Sequence, residues 1–275
     1  MINFKNIEWY VYHGALFPNV EPHVGISLSR QEQKKLLEQS NAFFLRYTSE
    51  WDRKESAFWY VVKDEFGGLS ELSGSTRSKV RRGLKNCKVL KVSQEDIAQE
   101  GYDIYVSAMI KYKTNLKPIS KEEYQRNKGN SDNYDIWAVY EKMTGRMIAY
   151  SSNKITDNCC NYTEIKFHPA YMKLYPSYAL FYEMNRYYLD DIRMQYVHDG
   201  ARSIAHETNI HDFLVDKFKF RKVYCKLNVI YRKDVATFIK ILYPFRMIVS
   251  KFNFFIFNKV SVLLRQEEIR RSFEK

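Results

Sequence analysis

Apolar positions in this chain follow two periods, and the switch between them falls in its middle. Residues 134–140, 146–153 and 159–167 are short β-rich runs separated by a Thr-Gly turn and an Asp-Asn turn, which predicts an antiparallel meander. The period then lengthens. Over 176–191 the residues Ala179, Leu180, Tyr182, Tyr187 and Tyr188 recur at three- and four-residue spacing, predicting a helix opened by Pro176. A strand at 194–198, a turn at Asp199-Gly200, a helix at 210–218 and a strand at 222–231 complete this region.

Upstream, strands are predicted at 7–12, 42–47 and 57–63, the last almost wholly apolar and so central in its sheet. Ser29 caps a helix over 30–39 whose apolar residues are Leu36 and Leu37. Ser75 or Thr76 caps a helix over 77–86, followed by a strand at 89–92. A helix over 95–113 turns Ile97, Tyr105, Ala108, Met109 and Tyr112 inward. Ser120 and Glu123 form a capping box for a short helix over 120–126. The polar loop 128–133 divides the expected organisation: an N-terminal half (1–128), a C-terminal half (129–234) and an amphipathic basic helical tail (235–275).

Composition changes this picture in two places. Aromatics reach 16%, with 22 Tyr and 18 Phe, so a few side chains supply much of the buried area. The formal charge of +12 is concentrated: 217–275 holds 15 Lys/Arg against 4 Asp/Glu, and 71–91 holds 7 Lys/Arg against one Glu. Arg77, Arg81, Lys85 and Lys88 recur at helical spacing and share one face. Like charges so placed repel, and an anion relieves them; a solvated basic face is the other reading. The tail interleaves apolar residues with Lys240, Arg246, Lys251 and Lys259, which suits a helix lying in a membrane interface, packed on the domain or held in a dimer contact. No run approaches the roughly 18 apolar residues of a membrane span. The N-terminal residues lack a basic region leading into an apolar core, and Cys87, Cys159, Cys160 and Cys225 have no metal-ligand spacing. A cytoplasmic protein with reduced thiols is expected, with peripheral contact at the inner membrane face as an option.

The order strand–strand–strand–helix–strand–helix–strand resembles the acyltransferase half of the GNAT fold, and in particular its FemAB-like branch. The segment DFLVDKFKFRKVY resembles the closing "fYekfGF" motif at Phe213, Lys217, Phe218 and Phe220. SGSTRSKVRRGLKNCKVLKVS resembles the basic helix-then-strand of the FemAB-like N-terminal half. The likeness covers about residues 55–232. It implies an α/β (α+β) fold with a mixed, mostly antiparallel sheet flanked by helices, with a duplicated fold in two halves as an option. It also implies joining an acyl group to an amino nucleophile, in cell-envelope chemistry.

On that resemblance Glu164 is the candidate general base, and Asp199 a carboxylate that orients the acceptor. Lys173 and Ser177 open the helix where GNAT enzymes cradle pyrophosphate, and Arg77, Arg81 and Lys85 are further candidates for holding phosphate. The family's glycine loop is absent, since Lys173-Leu174-Tyr175-Pro176-Ser177-Tyr178 stands there. Leu214 replaces the motif's tyrosine. The donor is therefore open between an acyl-CoA and an aminoacyl-tRNA. The expected partners are a phosphate-bearing acyl donor and an amine acceptor on a small or lipid-linked molecule, with tRNA or an anionic membrane surface for the basic segments. A degenerate fold kept for RNA or membrane binding is the alternative. HETNIH spaces His206 and His211 so that they miss a common helical face, and no metal is expected.

Overall fold

The computed structural model describes residues 1–111, 117–128, 133–156, 158–204, 209–249 and 255–274, without the side chains of 255–258. It divides into two compact units: Met1–Tyr60 with Ala201–Thr208 and Lys222–Lys275, and Val61–Gly200 with Asn209–Arg221. Residues of the expected first half, 1–128, contribute to both units, and the expected tail belongs to the first.

In the first unit β1 (Ile2–Phe4), β2 (Ile7–Tyr12) and β3 (Ala15–Pro18) form an antiparallel meander. Helix α1 (Arg30–Ser40) leads into β4 (Phe44–Arg53), which lies parallel to β3. The helix starts where it does because Ser29 and Glu32 cap each other's backbone N–H groups reciprocally. Trp9, Leu16, Leu36, Leu37, Leu45 and Tyr47 form the core here. Strand β5 (Trp59–Lys63) carries the chain out of this unit.

The second unit holds α2 (Gly74–Asn86), β6 (Cys87–Val92), α3 (Gln94–Glu100), α4 (Tyr102–Lys111), α5 (Lys121–Lys128), β7 (Tyr134–Glu141), β8 (Met147–Ile155) and β9 (Cys159–Phe167). After these come α6 (Pro176–Arg186), β10 (Tyr196–Ala201) and α7 (Ile210–Phe218). Its strand order is β10-β9-β8-β7-β6, antiparallel except for the parallel pair β9–β10. The chain then returns to the first unit as β11 (Arg221–Tyr231), antiparallel to β4, followed by α8 (Lys233–Leu242), α9 (Arg246–Val249) and α10 (Phe255–Arg271). The result is the expected mixed α/β architecture, open sheet structure flanked by helices.

Alternation along β7 and β8 sends side chains to two faces. Ile136, Ala138 and Tyr150 pack with Ile97, Ile104 and Tyr124 of α3, α4 and α5. Trp137 and Asn153 turn the other way and donate to the Tyr188 hydroxyl, at 2.7 and 3.3 Å. Tyr188 in turn donates to Asp135 Oδ2 at 3.1 Å. It stands on a π-helical turn (Tyr187–Asp191) that continues α6, where regular helix was expected.

The single helix expected over 95–113 is two helices, α3 and α4, broken at Gly101. A Cβ on Gly101 would stand 2.4 Å from the Tyr124 hydroxyl, so only glycine lets α5 approach here. Tyr112 and Lys113 lie outside the described residues. Strand β10 runs through Asp199 and Gly200, where a turn was expected, with Gly200 at φ 76°. Ser73, not Ser75 or Thr76, accepts the capping bond of α2, from Thr76 N. The closing motif is a packing device: the Phe213, Phe218 and Phe181 rings lie within 5.7–5.8 Å of one another, and Phe220 meets Tyr162. Lys219, where the motif has glycine, ends α7 in the left-handed region at φ 61°.

Candidate active site

The site begins with a fault in one strand. Ser152 pairs with Glu164, but Asn153 pairs with Tyr162, so Thr163 is an extra residue in β9. Strict alternation would put Tyr162 and Glu164 on one face. The bulge separates them. Tyr162 faces α6, where its hydroxyl donates to Asn185 Oδ1 at 2.9 Å and its ring meets Phe181 and Tyr188. Glu164 faces α5, where its Oε2 pairs with the Lys128 ammonium and its Oε1 accepts from the Tyr150 hydroxyl at 3.3 Å. Thr163 anchors the bulge by donating from Oγ1 to the Ser152 carbonyl at 2.6 Å.

Burial, and then the charge of Glu164, push the Tyr150 phenol far above its ordinary range. Burial does the same for Tyr124. Both rings therefore stay neutral across the physiological range. Beside them opens a cavity of about 220 Å³ lined by Gln94, Asn127, Lys128, Tyr134, Ile136, Ser152, Thr163 and Glu164.

The parallel pairing of β9 and β10 ends at Asn161–His198, although β9 continues to Phe167. The two strands part beyond that point. Tyr162, Phe181 and Phe220 fill the α6 side of the parting. Glu164 and the cavity lie on the α5 side.

No family model matches this sequence, and no curated protein matches it. Solved structures do. FemX superposes with a TM-score of 0.57 over 84% of this chain and 85% of its own, at 8% identity. The C-terminal domain of a putative lysylphosphatidylglycerol synthetase from Agrobacterium fabrum superposes with a TM-score of 0.54 over 85% of this chain and 83% of its own, at 12% identity. This chain has the FemX fold. At such identities the likeness speaks for the fold, and the chemistry has to be argued from the site.

Within this FemX-fold chain the remaining candidates fall into two groups away from Glu164. The first lies around the N-terminus of α6. Helix α2 packs there so closely that a Cβ on Gly83 would stand 2.7 Å from the Tyr175 carbonyl and 3.2 Å from Ala179. Ser177 is buried, so a phosphate at the first turn of α6 would have to displace its neighbours. Lys173 is exposed. Thr76, Val80 and Gly83 form the buried face of α2, while Arg81 and Lys85 are exposed and Arg77 is half-buried; among the described residues none of these three makes an ion pair. Arg82 and Lys79 lie over the Tyr175 and Tyr178 rings.

The second group is Asp199 with His211. The imidazole Nε2 lies 3.4 Å from Asp199 Oδ2 and 3.2 Å from its backbone oxygen. Burial raises the Asp199 carboxyl, against the pull of His211. Burial alone would lower His211, but the hydrogen bonds and charge of Asp199 raise it. His198, on the same strand, is pushed down to about 3 by burial and stays neutral. No contact joins Asp199 to Glu164 among the described residues.

Sequence reasoning missed Lys128, Tyr124 and Tyr150 as neighbours of Glu164, and His211 as the partner of Asp199. Lys128 is 36 residues from Glu164, and no periodicity reports a pairing at that separation. Among the described residues no group of three His, Cys, Asp or Glu converges as a metal site, and His206 and Glu207 lie outside them.

Proposed function

We propose that this protein is an N-acyltransferase, moving an acyl or aminoacyl group from a thioester or tRNA ester to the amine of a small or lipid-linked acceptor. The observation that carries this reading is Glu164: a carboxylate aimed by a strand bulge into a polar cavity beside two diverging strands. In the reaction the acceptor ammonium gives a proton to Glu164, and the freed amine nitrogen attacks the acyl carbon. A C–N bond forms, and the C–S or C–O bond to the carrier breaks. The tetrahedral intermediate's oxygen carries negative charge meanwhile, and preorganised donors stabilise such charge strongly. We assign that role to the N–H of Thr163, which the bulge takes out of the regular ladder. The departing sulfur or oxygen takes up a proton. Arg77, Arg81, Lys85 and Lys173 present cations for the phosphates of the carrier.

A direct assay separates the donors. The protein is mixed with labelled acetyl-CoA, or with labelled aminoacyl-tRNA, and with primary-amine acceptors. One donor is expected to raise the melting temperature by mass action, by about 2.7 kcal/mol of stabilisation at a hundred times its Kd, and to label the acceptor. Neither stabilisation nor label from either donor would overturn the reading.

A lipid-linked acceptor draws support from α8 and α9. Phe238, Ile241, Phe245 and Ile248 follow at spacings of three, four and three residues and are 46–62% exposed. Opposite them Ile239 and Val249 are buried. Lys233 and Lys240 are exposed on the same helix. An apolar stripe with cations beside it suits an anionic lipid surface. Among the described residues no helix is long and apolar enough to cross a membrane. Expected is binding to phosphatidylglycerol vesicles that weakens at least tenfold on Phe238→Asp with Ile241→Asp, since each buried apolar side chain contributes roughly 1.5–3 kcal/mol. Equal sedimentation of parent and variant would remove the membrane role.

A further inference from the structure

The residue paired with Glu164 points to the acceptor. The Lys128 ammonium meets the Glu164 carboxylate while lying 5.6 Å from the centre of the Tyr124 ring and 5.3 Å from that of Tyr150. A cation between two aromatic faces and a carboxylate gains from all three. Both rings are almost completely buried, so the cage does not have to be assembled when a cation arrives. Tyr150 already donates to Oε1, which leaves Oε2 to receive the ammonium.

Lys128 is the last residue of α5, and among the described residues its ammonium meets this carboxylate and these rings. The cavity next to it is lined by Lys128 and Glu164 themselves and otherwise by the neutral side chains of Gln94, Asn127, Tyr134, Ile136, Ser152 and Thr163. Removal of the Lys128 side chain would therefore leave one anion, two ring faces and neutral hydrogen-bonding groups around an open space. That is a receptor for a cation.

We infer that Glu164, Tyr124 and Tyr150 form the binding site for a primary ammonium on an unbranched stem, and that Lys128 occupies this site until the acceptor displaces it. The cage stands on its own geometry; its identification with the acceptor site rests on the acyltransferase reading. The stem must be slender because the site already admits a lysine side chain. The nitrogen must carry hydrogens because the carboxylate bond needs a donor, which excludes quaternary ammonium ions. Lys128 then acts as an internal competitor, and the affinity for acceptor falls by the fraction of molecules in which it is seated.

The test uses the full chain and n-butylammonium chloride as probe, with tetramethylammonium chloride and sodium chloride at equal ionic strength as controls. Lys128→Met keeps the stem and removes the charge. Calorimetric titration is expected to show n-butylammonium binding to Lys128→Met at least tenfold tighter than to the parent, no binding of tetramethylammonium, and loss of the n-butylammonium signal when Glu164→Gln is added. Equal affinity in parent and Lys128→Met, or binding that survives Glu164→Gln, would overturn the proposal. A second measurement needs no variant. In the parent, lysine-reactive ester should label Lys128 several-fold more slowly than the exposed Lys121, and n-butylammonium should raise the Lys128 rate. A rate that the amine leaves unchanged would also overturn it. Amine binding without transfer from any donor would leave the cage standing and remove the acyltransferase reading. Transfer with no gain in amine affinity on Lys128→Met would do the reverse.

Discussion

Glu164→Gln is expected to lower the rate of acyl transfer by about 10²–10⁴-fold, the usual contribution of a positioned base. Glutamine keeps the size of the side chain and can still accept from Tyr150, so the cavity keeps its shape. What disappears is the proton acceptor for the incoming ammonium. The fold should survive. The Lys128–Glu164 pair is partly open to water, at 17% and 28% side-chain exposure, so losing it costs on the order of 1 kcal/mol after solvent screening. The measurement is kcat/KM for the variant and the parent over a range of pH, with a thermal melt of each. A variant that transfers at the parent rate would place the base elsewhere, and the Asp199–His211 pair would be the next candidate, because its imidazole is held beside a buried carboxylate.

Glu71→Ala is expected to have the largest effect on stability, about 3–5 kcal/mol, because it strands a buried charge. Lys63 on β5 is 3% exposed, and its ammonium lies 2.9 Å from Glu71 Oε2. Glu71 is itself four-fifths covered and closely packed against Gly67, where a Cβ would stand 3.0 Å from that of Glu71. With the carboxylate gone, the ammonium keeps its desolvation cost and loses its counter-charge. Lys63→Met should behave in the opposite way, since an apolar chain of similar length suits the site. The pair of substitutions together should therefore cost much less than Glu71→Ala alone. Urea unfolding of the parent, both single variants and the double variant measures this directly. A loss below about 1 kcal/mol for Glu71→Ala would mean that water reaches Lys63.

Much of the order of elements from residue 134 to residue 231 could be read from the chain itself. The meander at 134–167, the Pro176 helix and the closing strand at 222–231 follow from periods of two and 3.6 residues and from turn residues, and the structure has them. The closing motif marked Phe213, Phe218 and Phe220 by resemblance, but that Phe213 and Phe218 meet Phe181 came only with the structure. Glu164 was legible as a candidate only through its strand's place in that order. The face it presents was not. A bulge shifts register by one residue without a compositional mark, and here that shift decides whether Glu164 meets α6 or α5.

The local pattern of residues determined which segments are strand and helix, that the chain carries concentrated positive charge, and which fold their sequence resembles. These depend on neighbours a few positions apart, where propensity and periodicity act. Only the tertiary structure decided that Lys128 lies on Glu164, that Tyr124 and Tyr150 flank it, that His211 meets Asp199, and that α2 covers the first turn of α6. Apart from Tyr124, which lies one helical turn from Lys128, each of these joins residues 12 to about 100 positions apart, and such contacts are chosen by close packing of whole elements. No local rule encodes them.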